Sequence, residues 1–270
     1  MNRFERLLKR LDLQQASDNV FVGGAGEGGV GAEARLFGGL VAAQAAMAAQ
    51  RACPRFPMHS LHSYFLHPGR PERDIEYHAT RTKAGRNFEV VEVHARQGES
   101  VIFQLLASFQ QPAPNVRHQD PTPALNDPTS YPNRDQLKGR AHWADMPIDV
   151  RMVTPITADE ALPPDQQVWL KTNGILPEDA HLQLAMVVYA SDRSLLDTAW
   201  RPHADRGEMV GASLDHSMWF HHPPRFDDWL LYDIHSPAAA DSRGLALGAI
   251  YDRAGVRVVT VAQEGVMRTR

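Results

Sequence analysis

The chain has 270 residues, of which 43% are hydrophobic, and a formal net charge of −4. A chain of this size can bury one large core or two of ordinary size, and its charge supplies no overall basic field for nucleic acid. The single cysteine, Cys53, excludes an internal disulfide framework and a cysteine-rich zinc site. The charged N-terminus lacks a signal-peptide core and no apolar run approaches membrane-spanning length, so we expect a cytoplasmic protein without nucleic-acid or membrane partners.

The first half predicts a short opening helix, a buried helix and an antiparallel sheet. Phe4, Leu7, Leu8 and Leu11 recur at helical spacing. The alanine-rich, nearly all-apolar segment 36–50 is typical of a helix that is buried on most sides. Strand-type residues separated by turn residues then predict strands at 58–66, 74–82, 88–96 and 100–109.

The second half repeats this organisation after a change in composition. Prolines recur among polar residues between 111 and 149, which is typical of a linker. Beyond it, the pattern predicts strands at 150–153 and 167–172, a helix at 180–190, and strands at 212–220, 229–236, 244–251 and 256–263. We expect an N-terminal repeat at 1–111, a linker at 112–149 and a C-terminal repeat at 150–270.

Short motifs recur in the same order in both halves, about 150 residues apart, as expected of a duplicated unit. The matching pairs are His62 and His216, Arg86 and Arg243, and Gln110 and Gln263. A sheet curled around one buried helix, present twice, is the hotdog arrangement, and a fused pair extends one sheet through both halves. The expected fold is therefore an α+β double hotdog.

Several longer strings resemble the acyl-CoA thioesterase II family. In the second half they are LDHSMWFH at 214–221, YASD at 189–192, RFDDWLLY at 225–232 and AQEGVMR at 262–268. In the first half they are FGG at 37–39, HSYFL at 62–66 and ASFQ at 107–110. The resemblance covers almost the whole chain except the linker, and it implies an enzyme that hydrolyses acyl-CoA without a metal or an organic cofactor.

The same resemblance implies the site, which lies in the C-terminal repeat. In that family an aspartate, a serine or threonine and a glutamine hold the attacking water, and these roles transfer to Asp192, Ser213 and Gln263. A carboxylate can take the proton of water while hydroxyl and amide groups orient it. Gly38 and Gly39 permit a close approach to the start of the central helix, where backbone N–H groups would meet the oxyanion.

Alternatives remain open from the residues themselves. Without the resemblance, the three polar residues are more often a helix cap, a locally satisfied hydroxyl and a polar strand residue than a catalytic set. A hotdog protein can also bind acyl-CoA without catalysis, or hydrate an enoyl-CoA, although the histidine and aspartate motif of such a hydratase is not found. Exposed sheet edges further favour assembly into homodimers or homotetramers.

Four other motifs are better explained by structural roles than by function. The glycine-rich segment 24–29 fits a dinucleotide fingerprint but lies outside any parallel βαβ unit, so a loop over the site is favoured. His216, His221 and His222 have no common metal-ligand spacing, and we expect Asp215 and His216 to hold the strand and turn together. The segment 211–215 lacks the second glycine of a nucleophile elbow, and Cys53 is expected to be a buried thiol.

Overall fold

The computed structural model describes residues 1–26, 35–114, 116–140, 143–154, 160–203 and 209–269. Part of the glycine-rich segment 24–29 lies outside these residues, so its interpretation as a loop over the site stays a prediction. The α-helices of the described part are α1 (Arg3–Leu11), α2 (Gly38–Ala52), α3 (Arg134–Leu137), α4 (Ala180–Ser191) and α5 (Leu195–Trp200). Single 3₁₀ turns lie at Pro128–Ser130 and Trp143–Asp145.

The strands of the described part form one antiparallel sheet. They are β1 (Gln14–Ser17), β2 (Val20–Gly23), β3 (Met58–Phe65), β4 (Ile75–Ala84), β5 (Phe88–Gln97), β6 (Ser100–Gln110), β7 (Ile148–Met152), β8 (Asp165–Thr172), β9 (Met209–Ser213), β10 (Asp215–Phe220), β11 (Leu230–Ala240), β12 (Arg243–Tyr251) and β13 (Arg257–Thr269). Their order is β1-β2-β4-β5-β6-β3-β10-β13-β12-β11-β8-β7, with β9 paired to β13.

The pairing of β3 with β10 joins the two halves into that single sheet. In this register Ser217 lies opposite His62 and Met218 lies opposite Leu61. The sheet is therefore continuous from the first half to the second, which is the arrangement expected for a fused pair.

The two long central helices pack against each other in opposite directions. Every residue of α2 from Gly39 to Gln50 is buried, and α2 contacts β4, β5 and β6 as well as α4. Gln50, near the end of α2, donates from Nε2 to the carbonyl of His181 at the start of α4, at 3.2 Å. At the other end the rings of Phe37 and Tyr189 meet edge to face, with centroids 5.1 Å apart. The start of α2 therefore lies beside the end of α4.

The structure corrects several sequence-based boundaries. The strand predicted at 212–220 is two strands, β9 and β10, because the strand is interrupted at Leu214. The N–H of Leu214 donates to the carbonyl of Glu264 at 2.9 Å and its own carbonyl accepts from Phe65 N at 2.9 Å, so the break is fixed between β13 and β3. Strands β1 and β2 and helices α3 and α5 were not predicted. None of the helices in the described ranges is long and apolar enough to cross a membrane.

Candidate active site

Three polar side chains from three separate elements converge where the second half meets α2. Asp192 is the C-cap of α4, Ser213 ends β9 and Gln263 lies within β13. Gln263 donates from Nε2 to Asp192 Oδ1 at 2.8 Å and to Ser213 Oγ at 2.5 Å. Ser213 Oγ donates to the same carboxylate oxygen at 3.2 Å. The structure thus brings together the three residues that the sequence singled out.

The break at Leu214 explains how Ser213 reaches the carboxylate. Ser213 lies opposite Gly265 on β13, whereas Ser217 of β10 lies opposite Ala262. One long strand, β13, therefore carries two short strands, and Ser213 is the last residue before the gap between them. Gln263 lies on β13 within this gap and is fully buried, so its amide is directed to the inner side of the sheet.

Burial sets the proton affinity of the central carboxyl. Burial raises the pKa of Asp192 to about 6, from an ordinary value of 3.8. Three hydrogen bonds to the charged form, from Gln263, Ser213 and the backbone N–H of Gly39, oppose this rise. A carboxyl with this pKa is largely ionised at neutral pH and still a stronger base than an ordinary aspartate, which suits a general base.

An apolar groove of about 370 Å³ opens beside Asp192 and Ser213. Its apolar walls include Leu36, Phe37, Val41, Phe65, Ile102 and Phe103. Gly38 forms the point where the groove meets the carboxylate. A side-chain carbon at this position would lie 3.1 Å from Asp192 Oδ2 and 2.8 Å from the ring of Phe65. The missing side chain of Gly38 therefore keeps the second carboxylate oxygen accessible from the groove.

The first turn of α2 presents backbone N–H groups to this place. No side chain caps the helix, which begins directly after Phe37. Because the first N–H groups of a helix have no acceptor within it, they are available to other groups. That of Gly39 donates to Asp192, and that of Gly38 precedes it. The two glycines named by the sequence thus have different positions: one holds the carboxylate and the other leads into the groove.

A second layer of polar groups lies behind the three. His216 is fully buried, and its Nε2 is 2.8 Å from Ser191 Oγ, one residue before Asp192. Asp215 Oδ1 accepts from the N–H of Glu264 at 2.8 Å, which ties β10 to β13. Asp215 therefore holds two strands together, as expected, whereas His216 ties β10 to the end of α4. His221 contacts Thr260 Oγ1 instead. Within the described part, no group of three or more His, Cys, Asp or Glu side chains is placed to hold a metal ion.

Sequence reasoning missed a contribution from the linker. Arg134 of α3 donates from Nη1 to the carbonyl of Arg193 at 2.8 Å and to Ser194 Oγ at 2.9 Å. The buried Asp135 carboxylate lies 3.4 Å from Arg193 Nη2. The turn that carries Asp192 is thus held by side chains from the linker. Asn133, which caps α3 through its Oδ1, was the available signal, since Asn is a preferred N-cap residue.

Comparisons with known proteins identify the family of this chain. Residues 144–266 match the family model described as acyl-CoA thioesterase, and residues 28–110 match the acyl-CoA thioesterase N-terminal domain. Acyl-coenzyme A thioesterase 8 of Mus musculus is 37% identical over 87% of this chain and 81% of its own length. Acyl-CoA thioesterase 2 of Haemophilus influenzae is 34% identical over 97% of this chain and 96% of its own.

Solved structures give the same class of protein. The acyl-CoA thioesterase II TesB2 of Mycobacterium marinum is 36% identical, with a TM-score of 0.83 and 98% of each chain covered. A hot dog fold protein of Alicyclobacillus acidocaldarius, only 16% identical, covers 98% of each chain with a TM-score of 0.82, which shows the fold alone. These likenesses define an α+β double hotdog, as the sequence predicted. The chain belongs to the acyl-CoA thioesterase II family and is a thioester hydrolase.

Proposed function

We propose that the chain hydrolyses acyl-CoA to a free carboxylic acid and CoA by direct attack of a water molecule that Asp192, Ser213 and Gln263 hold. The observation that carries this proposal is the convergence of these three side chains at the mouth of an apolar groove. The names of the relatives, which describe acyl-CoA thioesterases, support the substrate class.

In this mechanism the two carboxylate oxygens have separate tasks. Ser213 and Gln263 both donate to Oδ1, whereas Oδ2 faces Gly38 and the groove. Oδ2 then accepts a proton from the water as the oxygen of that water attacks the thioester carbonyl. The pKa of Asp192, raised to about 6 by burial, makes this transfer easier than it would be for an ordinary aspartate.

The start of α2 is suited to the charge that develops on the carbonyl oxygen. The first N–H of the helix, at Gly38, and the positive end of the helix dipole lie beside the groove. A fixed donor aimed at a developing oxyanion stabilises the transition state more than the substrate. Collapse of the tetrahedral intermediate breaks the carbon–sulfur bond and expels the CoA thiolate. The thiolate takes up the proton held on Asp192 Oδ2, which leaves CoA, the free acid and an ionised Asp192.

Release of free thiol from short, medium and long acyl-CoA substrates tests this function. Asp192→Asn is the decisive variant, and Asp228→Asn, an exposed carboxylate of the β10–β11 connection, is its matched control. We expect thiol release by the wild type and by the control, and almost none by Asp192→Asn. A folded wild type that binds acyl-CoA without releasing thiol would instead support the binding module, and hydration of an enoyl-CoA would support the hydratase.

Two further properties stay predictions. The cytoplasmic location follows from the sequence reading, and assembly into homodimers or homotetramers follows from the open sheet edges. Sedimentation analysis of the purified chain tests the assembly, since a monomer at micromolar concentration would contradict it.

A further inference from the structure

Two buried polar atoms beside the candidate active site call for a partner. His216 Nδ1 and Gln263 Oε1 are both buried, and neither has a partner that satisfies strict hydrogen-bond geometry within the described part of the chain. Both side chains are fully buried. An unsatisfied polar atom in the core is costly, so each atom needs the other unless some further group reaches it.

The strand register brings these two side chains together. Ser217 of β10 lies opposite Ala262 of β13, so the next positions toward the site are His216 and Gln263. Facing residues of an antiparallel pair project to the same side of the sheet, and here that side is the core. Gln263 lies near enough to His216 to raise the pKa of the ring, against the larger lowering by burial.

The direction of the Ser191 hydrogen bond is linked to the position of the proton on the His216 ring. Its Oγ lies 2.8 Å from His216 Nε2 and 3.0 Å from the carbonyl of Val188. If the hydroxyl donates to Nε2, the proton of the neutral ring resides on Nδ1, opposite Gln263 Oε1. If the hydroxyl donates to Val188, the ring proton resides on Nε2, and the lone pairs of Nδ1 and Oε1 face each other. Only the first arrangement satisfies both buried atoms.

We propose that His216, held by Ser191 with its proton on Nδ1, is a positioning residue that donates to Gln263 Oε1 and so fixes the orientation of the catalytic amide. The chain of hydrogen bonds then runs from Ser191 through His216 and Gln263 to Asp192 and Ser213. This inference rests on the proposed function for the importance of the amide, but the tautomer itself does not depend on catalysis.

Amide orientation matters because the two ends of the Gln263 amide are chemically opposite. In the observed orientation Nε2 donates to both Asp192 Oδ1 and Ser213 Oγ. A rotated amide would place Oε1 against the carboxylate, with repulsion between the two acceptors. Burial lowers the pKa of His216 to about 4, so the ring stays neutral wherever Asp192 is ionised and its single proton can serve this role throughout.

The tautomer can be measured directly in the wild-type protein. Long-range ¹H–¹⁵N correlation spectra of protein labelled with ¹⁵N-histidine distinguish a protonated Nδ1 from a protonated Nε2, and the missing signals of His216→Asn assign the residue. We expect His216 to carry its proton on Nδ1 at pH 7. A proton on Nε2 would overturn the proposal, whether or not the protein hydrolyses acyl-CoA.

Substitutions then test whether the contact acts through Gln263. His216→Leu removes the donor, whereas His216→Asn places an amide N–H near the position of Nδ1. His221→Leu, at the outer end of the same region, is the matched control. Without His216 the Gln263 amide can rotate, and Asp192 then loses a hydrogen-bond donor. We therefore expect His216→Leu to lower kcat roughly tenfold and to move the acidic limb of the pH profile of kcat upward by about one pH unit. His216→Asn should restore most of both.

The charged and titratable groups around the pair are Asp192, Asp197 of α5, Asp215 and the hydroxyl of Tyr232. None is altered in these variants, so a shift of the acidic limb reports the Gln263 contact. A folded His216→Leu protein with an unchanged acidic limb contradicts the proposal, as do equal losses in the Leu and Asn variants. If His216→Leu does not fold, the tautomer measurement decides alone. Failure of the proposed function is recognised separately, because Asp192→Asn would then keep its activity.

Discussion

The two ends of the central helix pair, α2 and α4, contain similar elements but differ in their polar contacts. At one end the start of α2, with Gly38 and no side-chain cap, meets the end of α4, where Asp192 is the C-cap. At the other end the start of α4 meets the end of α2, where the C-cap is Cys53. Each end thus combines a helix start with a C-cap side chain that can carry a proton.

At the end formed by Cys53, which we call the closed end, both the helix start and the C-cap side chain have hydrogen-bond partners within the protein. Asp179 caps α4 by accepting from the N–H groups of His181 and Leu182, at 2.8 and 3.3 Å. Cys53 Sγ donates to Glu89 Oε2 at 2.8 Å. That buried carboxylate pairs in turn with two arginines, Arg55 and Arg81, and burial raises the pKa of the Cys53 thiol to about 11.

The two ends differ in two features that bear on the proposed chemistry. A helix start without a side-chain cap leaves donors for a substrate oxygen, and a carboxyl without an arginine keeps a raised pKa and can act as a base. At the closed end the helix start is capped by Asp179, and the buried carboxylate of Glu89 is paired with arginines. The comparison therefore predicts one catalytic end, with Asp192, and one structural end, with Cys53.

Substitution of each C-cap side chain should produce the largest difference between the two ends. Asp192→Asn should lower kcat by about 10² to 10⁴, the usual range for loss of a general base. Cys53→Ser, the matched change at the closed end, keeps a donor for Glu89 and should leave kcat unchanged. Steady-state thiol release measures both, and circular dichroism confirms their fold. A comparable loss of kcat in Cys53→Ser would show that the closed end also takes part.

Filling the start of α2 should have the next largest effect. Gly38→Ala places a carbon within 2.8 Å of Phe65 and 3.1 Å of Asp192 Oδ2, so we expect kcat/KM to fall roughly 10- to 100-fold as the groove entrance shifts. Gly24→Ala is the control, because its new carbon meets nothing within 4 Å. Equal activity of the two variants would remove Gly38 from the account.

Removal of the Ser213 hydroxyl should cost less. Gln263 still donates to Asp192 Oδ1 in Ser213→Ala, at the distance of 2.8 Å seen in the structure. We therefore expect kcat to fall about tenfold, which corresponds to the loss of one hydrogen bond to a charged group. Ser213→Thr should retain most activity because it keeps the hydroxyl. A complete loss of activity in Ser213→Ala would instead point to a serine nucleophile.

A pH dependence reports the burial of Asp192. Activity should rise through about pH 6 as this carboxyl ionises. Folding raises its pKa from 3.8, so its contribution to stability is fully present below pH 3.8 and is lost as pH rises through 6. Relative to the wild type, Asp192→Asn should gain up to about 3 kcal/mol between pH 4 and pH 8. Denaturant unfolding at both pH values measures this, and a pH-independent difference contradicts the raised pKa.

Much of the fold could be predicted from the sequence because apolar patterning is strong in the buried helix and in the core strands. The alanine-rich run marks α2, and alternation marks strands such as β5, whose inward residues Val91, Val93 and Ala95 are fully buried. Strand β1 could not be predicted because all of its residues are exposed and carry no alternation. The break at Leu214 arises from pairing with distant strands, which no local pattern records.

The repeated His-Ser motif shows a further limit of sequence comparison. His62 and His216 match in sequence, but His62 is exposed whereas His216 is fully buried. In the sheet His216 lies opposite Ser63, and Ser217 lies opposite His62. Because neighbouring strand residues project to opposite faces, an offset of one residue exchanges inside and outside. The motif therefore does not mark equivalent side chains in the two halves.

The central claim is that water, activated by Asp192, attacks the thioester directly. Rapid-quench intact-mass spectrometry of the wild-type protein during turnover of a good acyl-CoA substrate tests it most directly. We expect the protein mass to be unchanged at every quench time while free acid and CoA accumulate. A mass increase equal to one acyl group, mapped to Ser213, would contradict it and would assign the attack to the serine hydroxyl instead.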